Sequence, residues 1–176
     1  MIAASIIAIF VAVVPESNGN VVTTTVQGRD IHITDTIYHA DLHTRDNFGT
    51  LRNGVRTIHA NPGGYIYAAD ALVKRGNTRG EQVRLMCEGG CISAATQFLG
   101  AKNVCIGRHA WFGFHAATKT VLGFVKDKEA TETMAASYPP ALRAMFLRKW
   151  QNRWGMSYYH IRGAQVRNLT GIGVCK

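Results

Sequence analysis

Residues 82–107 read QVRLMCEGGCISAATQFLGAKNVCIG, and the parse of this stretch decides the fold. Its first seven residues, QVRLMCE, suit a short buried strand. Two glycines break it, CISAATQFLGA repeats apolar residues at helical spacing, and NVCIGR resumes a strand. Strand, glycine break, helix and strand is the order of a parallel β-α-β unit, whose ligand sites gather at the carboxyl ends of the strands. The same order stands just upstream, with VRTIHA (55–60) as a strand, NPGG (61–64) as a break, and YIYAADALVKRG (65–76) as a helix capped by Gly76. AWFGFH (110–115) supplies one more strand. The expected fold class is therefore α/β with a mostly parallel sheet.

That topology brings three separated features to one sheet edge. Gly63 and Gly64 follow the first strand, Ser93 follows the second, and His115 ends AWFGFH. A serine in the first turn of a helix sits beside unpaired backbone donors at the positive end of the helix dipole, a place suited to an oxyanion. It becomes a nucleophile only when a base within hydrogen-bond reach takes its proton, and His115 is the candidate base. Consecutive glycines let the backbone approach a ligand closely. The N–H groups of Gly64 and Ala94 are thus candidate oxyanion donors, with Pro62 and Gly63 shaping the loop. Each feature has a plain alternative: Ser93 as a helix N-cap, His115 as a packed histidine, and PGG as a turn. Their joint occurrence is what favours a site.

Together, NPGGYIYAADAL, CISAATQFLGA and AWFGFHAAT resemble the three signature segments of the Clp protease proteolytic subunit family, within the ClpP/crotonase superfamily. The likeness is strongest to its exported, periplasmic Clp-protease-like members, and it covers roughly residues 28 to 118. It implies a ClpP/crotonase-like fold of stacked ββα units, a peptide or protein substrate, a homo-oligomer and no cofactor. It also implies Ser93 as nucleophile, His115 as base, and Gly64 and Ala94 as oxyanion donors. Peptidases of that family add an acid after the histidine. Here RWGMSYYHIRGAQVRNLTGIG (153–173) has no Asp or Glu, and the acids beyond His115 are Asp127, Glu129 and Glu132, in a stretch that reads as a loop or helix start. A backbone carbonyl, Asn168 or Ser157 is left to orient the imidazole, so a slow peptidase and an inactive relative both remain open. A Ser-Lys dyad is a further variant, with Lys102 and Lys119 the nearest lysines in sequence.

The flanking segments are read more coarsely. VVTTTVQGRDIHIT (21–34) predicts two short strands around Gly28, and LHTRDNFGTLRNG (42–54) a polar, loosely helical crossover. ATETMAASYPPALRAMFLRKWQNRWG (130–155) predicts helices on either side of Pro139 and Pro140, serving as a subunit contact or as a cover for the sheet.

With 176 residues, 47% hydrophobic and 18% charged, the chain fits one globular domain, placed at 21–176. The formal charge of +9 invites nucleic acid, but the 20 Lys and Arg are scattered. The densest basic stretch, LRKWQNRW (147–154), reads as an amphipathic helix with core tryptophans, so nucleic acid is not the expected partner. The chain has no GxxxxGK followed by Ser or Thr, so no ATPase is expected within it. Residues 2–14 form an apolar run whose one polar side chain is Ser5. The run suits an export signal or short membrane anchor over residues 1–20, directing the protein to a bacterial periplasm or envelope, with a buried first strand as the alternative. Cys87, Cys91, Cys105 and Cys175 suit an oxidising compartment and permit three complete pairings, among which the sequence does not choose. They lack zinc-ligand spacing, and no metal is expected.

Three functions fit these readings. The first is a serine endopeptidase of Clp type acting in the envelope. The second is a non-catalytic relative that binds peptides or acyl groups, and the third is a crotonase-like acyl-thioester enzyme using the paired oxyanion amides. A nucleophile and a base at these strand ends favour the first.

Overall fold

The computed structural model describes residues 48–119, 125–154 and 157–176, together with the backbone of three N-terminal strands. The chain divides into two compact units, Met1–Arg45 and Asp46–Lys176. In the first, β1 (Val11–Glu16), β2 (Gly19–Val26) and β3 (Arg29–Thr34) form an antiparallel meander in which Val22 lies opposite Val13 on one side and Ile33 on the other. The two strands expected from the β-branched residues of VVTTTVQGRDIHIT are present. Of the apolar run proposed as an export signal or anchor, residues 11–14 belong to β1, and residues 2–10 lie outside the described residues. No helix among the described residues is long and apolar enough to cross a membrane.

Two sheets build the second unit, and its fold is α/β. In one, β4 (Thr50–Arg52), β5 (Val55–Ile58), β6 (Gln82–Leu85) and β8 (Asn103–Ile106) stand in that order. β4 runs antiparallel to β5, and the other three strands are parallel. In the other, β7 (Cys91–Ile92) pairs in parallel with β9 (Trp111–Phe114), and β10 (Tyr159–Arg162) joins β9 antiparallel. Helix α1 (Ile66–Arg79) links β5 to β6, and a 3-10 helix, Ser93–Gly100, links β7 to β8. Downstream lie α2 (Lys128–Ala136), α3 (Pro140–Arg148) and α4 (Gly163–Thr170).

Three local readings change. Gly76 is not the helix cap: α1 continues to Arg79 and ends at Gly80, which adopts the left-handed conformation at φ 68°. Gly76 is instead buried within the helix, where a Cβ would come 3.0 Å from Glu81 Oε2. The crossover at 42–54 is not loosely helical where it is described, because β4 and β5 form a hairpin around Asn53 (φ 49°) and Gly54 (φ 75°). Two left-handed residues in a two-residue turn are what Asn-Gly supplies, and that signal stood in the sequence. Residues 42–47 lie outside the described residues. Finally, QVRLMCE stops being a strand at Leu85, because a Cys87–Cys91 disulfide closes a tight loop through Gly89 and Gly90 and starts β7.

The core lies between the sheets and the helices. Ile58, Leu85 and Ile106 from the parallel strands are fully buried with Phe98 and Leu99 of the 3-10 helix. Phe114 stacks on Trp150 with centroids 4.7 Å apart and meets Tyr138 edge-on at 5.7 Å. Met134, Leu142 and Phe146 are fully buried too, so α2 and α3 cover the core of their own chain. Each such side chain contributes about 1.5–3 kcal/mol by leaving water. Of the tryptophans in LRKWQNRW, Trp150 is core, while Trp154 is exposed with the Lys126 ammonium 4.2 Å from its ring centroid. The C-terminal segment returns to β8, where Val174 bridges Ile106 and Cys105 is bonded to Cys175.

Candidate active site

One residue joins the two sheets at the site. Asn61, three positions beyond β5, bridges Cys91 in parallel: its N–H donates to Gly90 O at 2.8 Å, and Ile92 N–H donates to its carbonyl at 2.9 Å. The loop after β5 is thereby added to the edge of the second sheet, so Asn61, β7 and β9 run side by side. Because Ile92 pairs with Gly113, Ser93 stands level with Phe114, one residue before His115. The expected convergence of the PGG loop, Ser93 and His115 occurs, but at the carboxyl ends of the second sheet rather than of the four-stranded one.

Ser93 is held in the left-handed region at φ 55°. Among the described residues the other two non-glycine residues with positive φ are Asn53 in its turn and Cys87 in its disulfide loop. Serine has no such local reason, and the conformation costs on the order of 1 kcal/mol. The helix-cap alternative for Ser93 fails, because Ile92 occupies the cap position and no side chain caps the helix. Among the described residues the Ser93 hydroxyl makes no hydrogen bond. Its carbonyl accepts from Thr96 Oγ1 at 2.6 Å, and that hydroxyl lies 2.5 Å from Tyr138 OH. Burial holds the Tyr138 phenol well above its ordinary pKa, so it stays protonated as part of this clamp.

The PGG loop lies directly against the serine. A Cβ on Gly63, whose φ is 103°, would stand 2.7 Å from Ser93 Cβ and 2.8 Å from Ile92 O. Gly63 N–H is engaged by Asn61 Oδ1 at 2.9 Å. The N–H groups of Gly64 and Ala94 are not taken by any hydrogen bond among the described residues, which leaves them available as the two expected oxyanion donors.

His115 follows β9 directly and is half-buried. Burial lowers its pKa from the ordinary 6.5, and the Ala116 backbone offsets part of that shift. The imidazole is therefore neutral at neutral pH, as a general base must be. Among the described residues its Nδ1 is buried without a hydrogen-bond partner. No hydrogen bond joins Ser93 Oγ to His115 among the described residues, a pairing that catalytic sites often tighten only on substrate.

No residue considered as a third member reaches that nitrogen. The Asp127 N–H donates to Ala117 O at 2.8 Å, but its carboxylate caps α2 by accepting from Ala130 N–H at 3.1 Å. Glu129 and Glu132 are exposed, as is Asn168 on α4. Ser157 Oγ accepts from Arg153 Nη1 at 3.4 Å. Lys102 and Lys119 are exposed as well. Asp127→Ala is accordingly expected to lower stability by about 1 kcal/mol through loss of the cap, while the reactivity of Ser93 stays unchanged. Urea unfolding beside active-site titration checks this, and a large loss of reactivity in a folded variant would return Asp127 to the site.

Asn61, which positions both the glycine loop and the serine strand, was not singled out in the sequence, nor was the Thr96–Tyr138 clamp. The asparagine stood beside PGG. The clamp joins residues 42 apart, for which no local signal exists. The chain matches no family model, no curated protein and no solved structure.

Proposed function

We propose that this protein is a serine endopeptidase of Clp type, exported and homo-oligomeric, with stacked ββα units of the ClpP/crotonase kind. The observation that carries the reading is the Ser93 hydroxyl, free among the described residues and held at φ 55° against Gly63, where no side chain fits. The β4–β5 hairpin followed by α1 has the order of one ββα unit. Two disulfides, Cys87–Cys91 and Cys105–Cys175, support an oxidising compartment.

In the proposed reaction Ser93 Oγ bonds to the peptide carbonyl carbon as its proton passes to Nε2 of His115. The carbonyl electrons move to an oxyanion held by the Gly64 and Ala94 N–H groups. Collapse breaks the C–N bond, the leaving amine takes the proton from the imidazolium, and water then hydrolyses the acyl-serine by the same steps. With no carboxylate on Nδ1 among the described residues, the imidazolium lacks the partner that an acid supplies, a deficit of about ten-thousandfold where it has been removed from a full triad. That orphaned nitrogen is also the one observation favouring the second reading, a relative that binds peptides or acyl groups without cleaving them.

Intact-mass labelling with a fluorophosphonate probe tests the proposal. One adduct is expected on Ser93, absent from Ser93→Ala and His115→Ala. Because burial lowers the His115 pKa, the labelling rate is expected to stay on its plateau as the pH falls through 6.5 and to drop only below it. A folded protein that takes no label would overturn the nucleophile and leave the binding relative.

A further inference from the structure

At the end of β9 opposite His115 lies a cleft of about 380 Å³ whose side-chain lining is basic and aromatic: Arg108, His109, Trp111, His160 and Arg162. No carboxylate lines it, and none pairs with these four basic groups among the described residues. The Trp111 and His160 rings are in contact, with centroids 4.6 Å apart, and the indole N–H is spent on Glu88 O at 3.1 Å. The cleft thus offers positive charge beside a flat apolar face, with no counter-charge of its own.

The sheet connects this cleft to the candidate active site. The antiparallel register sets Arg162 opposite Trp111 and His160 opposite Gly113, so these residues share one face. Alternation along β9 continues that face from Trp111 through Gly113 to His115, one step past the strand end. Gly113 carries no side chain, and Tyr158, partly exposed, packs over it. Four residues of extended chain span about 13 Å. A polypeptide lying along this face with its scissile bond at Ser93 would therefore place a side chain about four positions away in the cleft.

We propose that this cleft is a subsite for an acidic side chain of the substrate, so that the protein selects polypeptides carrying Asp or Glu about four residues from the bond cleaved. This deepens the peptidase reading and rests on it. Charge complementarity and a face shared with His115 favour a polypeptide over a nucleic acid, which would need further aromatic platforms along a basic track.

The test is fluorescence anisotropy with the full chain carrying Ser93→Ala and a labelled octapeptide containing two glutamates, beside its glutamine counterpart. The glutamate peptide is expected to bind about fivefold tighter, and Arg108→Ala with Arg162→Ala is expected to erase the difference. Equal binding of the two peptides, or a preference that survives in the arginine variant, overturns the subsite. So does a single-stranded oligonucleotide that displaces the peptide at lower concentration than the unlabelled peptide itself. Fluorophosphonate labelling of the wild-type chain reports separately on Ser93, so loss of the peptidase reading and loss of the subsite are told apart.

Discussion

Gly63→Ala is expected to slow fluorophosphonate labelling of Ser93 by at least about a hundredfold while leaving the protein folded. The new methyl group would stand 2.7 Å from Ser93 Cβ and 2.8 Å from Ile92 O, far inside the roughly 3.5 Å at which carbon atoms meet comfortably. Neither neighbour is the end of a flexible side chain. Ser93 Cβ is fixed by its backbone, and Ile92 belongs to β7, whose N–H is bonded to Asn61 O at 2.9 Å. The loop must therefore retreat by about 1 Å, a displacement that can cost about a hundredfold in a preorganised site. Gly64 N–H moves with it, and loss of one oxyanion donor costs about 10²–10³ on its own. Because φ at this position is 103°, the alanine also adds strain, with a total stability loss of about 1–3 kcal/mol. Gly171→Ala is the matched control, a left-handed glycine with open space around it. A labelling time course alongside a thermal melt decides the matter. Wild-type labelling speed in a folded Gly63→Ala variant would separate the PGG loop from the chemistry.

The second large effect concerns the tail. Removing the Cys105–Cys175 disulfide by a double serine substitution is expected to lower Tm by about 10 °C. The bond joins residues separated by 70 positions. A loop of that size confines the unfolded chain by about 4 kcal/mol, and each kcal/mol moves Tm by about 2–4 °C in a domain of this size. The tail's hydrogen bonds, Ile106 N–H to Gly173 O at 3.0 Å and Cys175 N–H to Ile106 O at 3.1 Å, depend on the same closure. Calorimetry of the oxidised protein and the variant measures the difference. A shift of only about 2 °C would show that the tail holds its place without the covalent bond. The Cys87–Cys91 bond spans only four positions and constrains the unfolded chain less, about 2 kcal/mol. Its main consequence is local, since it turns the chain from β6 into β7 and so delivers Ser93.

Much of this was legible in sequence because it is written in neighbouring residues. The helix from Ile66 shows its 3.6-residue apolar period, β5, β6 and β8 lie in short runs ended by Gly or Asn, β9 is an aromatic run that leads into His115, and Pro139 and Pro140 mark the start of α3. Ser93, His115 and the glycine pair stood out because each follows such a run. The extent of α1 was misread because a buried glycine and a capping glycine look alike in sequence. Gly76 is packed against Glu81, whereas Gly80 has nothing within 4 Å of its Cβ position.

What the sequence determined by itself is the α/β class, most of the strands and helices between Val55 and Arg148, and the set of candidate residues, whereas β4, β7, β10 and α4 were not read from it. Local periodicity and turn geometry need no knowledge of distant chain. What only the tertiary structure decided is how remote segments meet. Asn61 on the edge of β7, the pairing of Cys87 with Cys91 and Cys105 with Cys175, the free Ser93 hydroxyl and the orphaned His115 Nδ1 are all of this kind. Each depends on which of several compatible partners packing brings within a few ångströms, and residues far apart along the chain carry no mark of that choice.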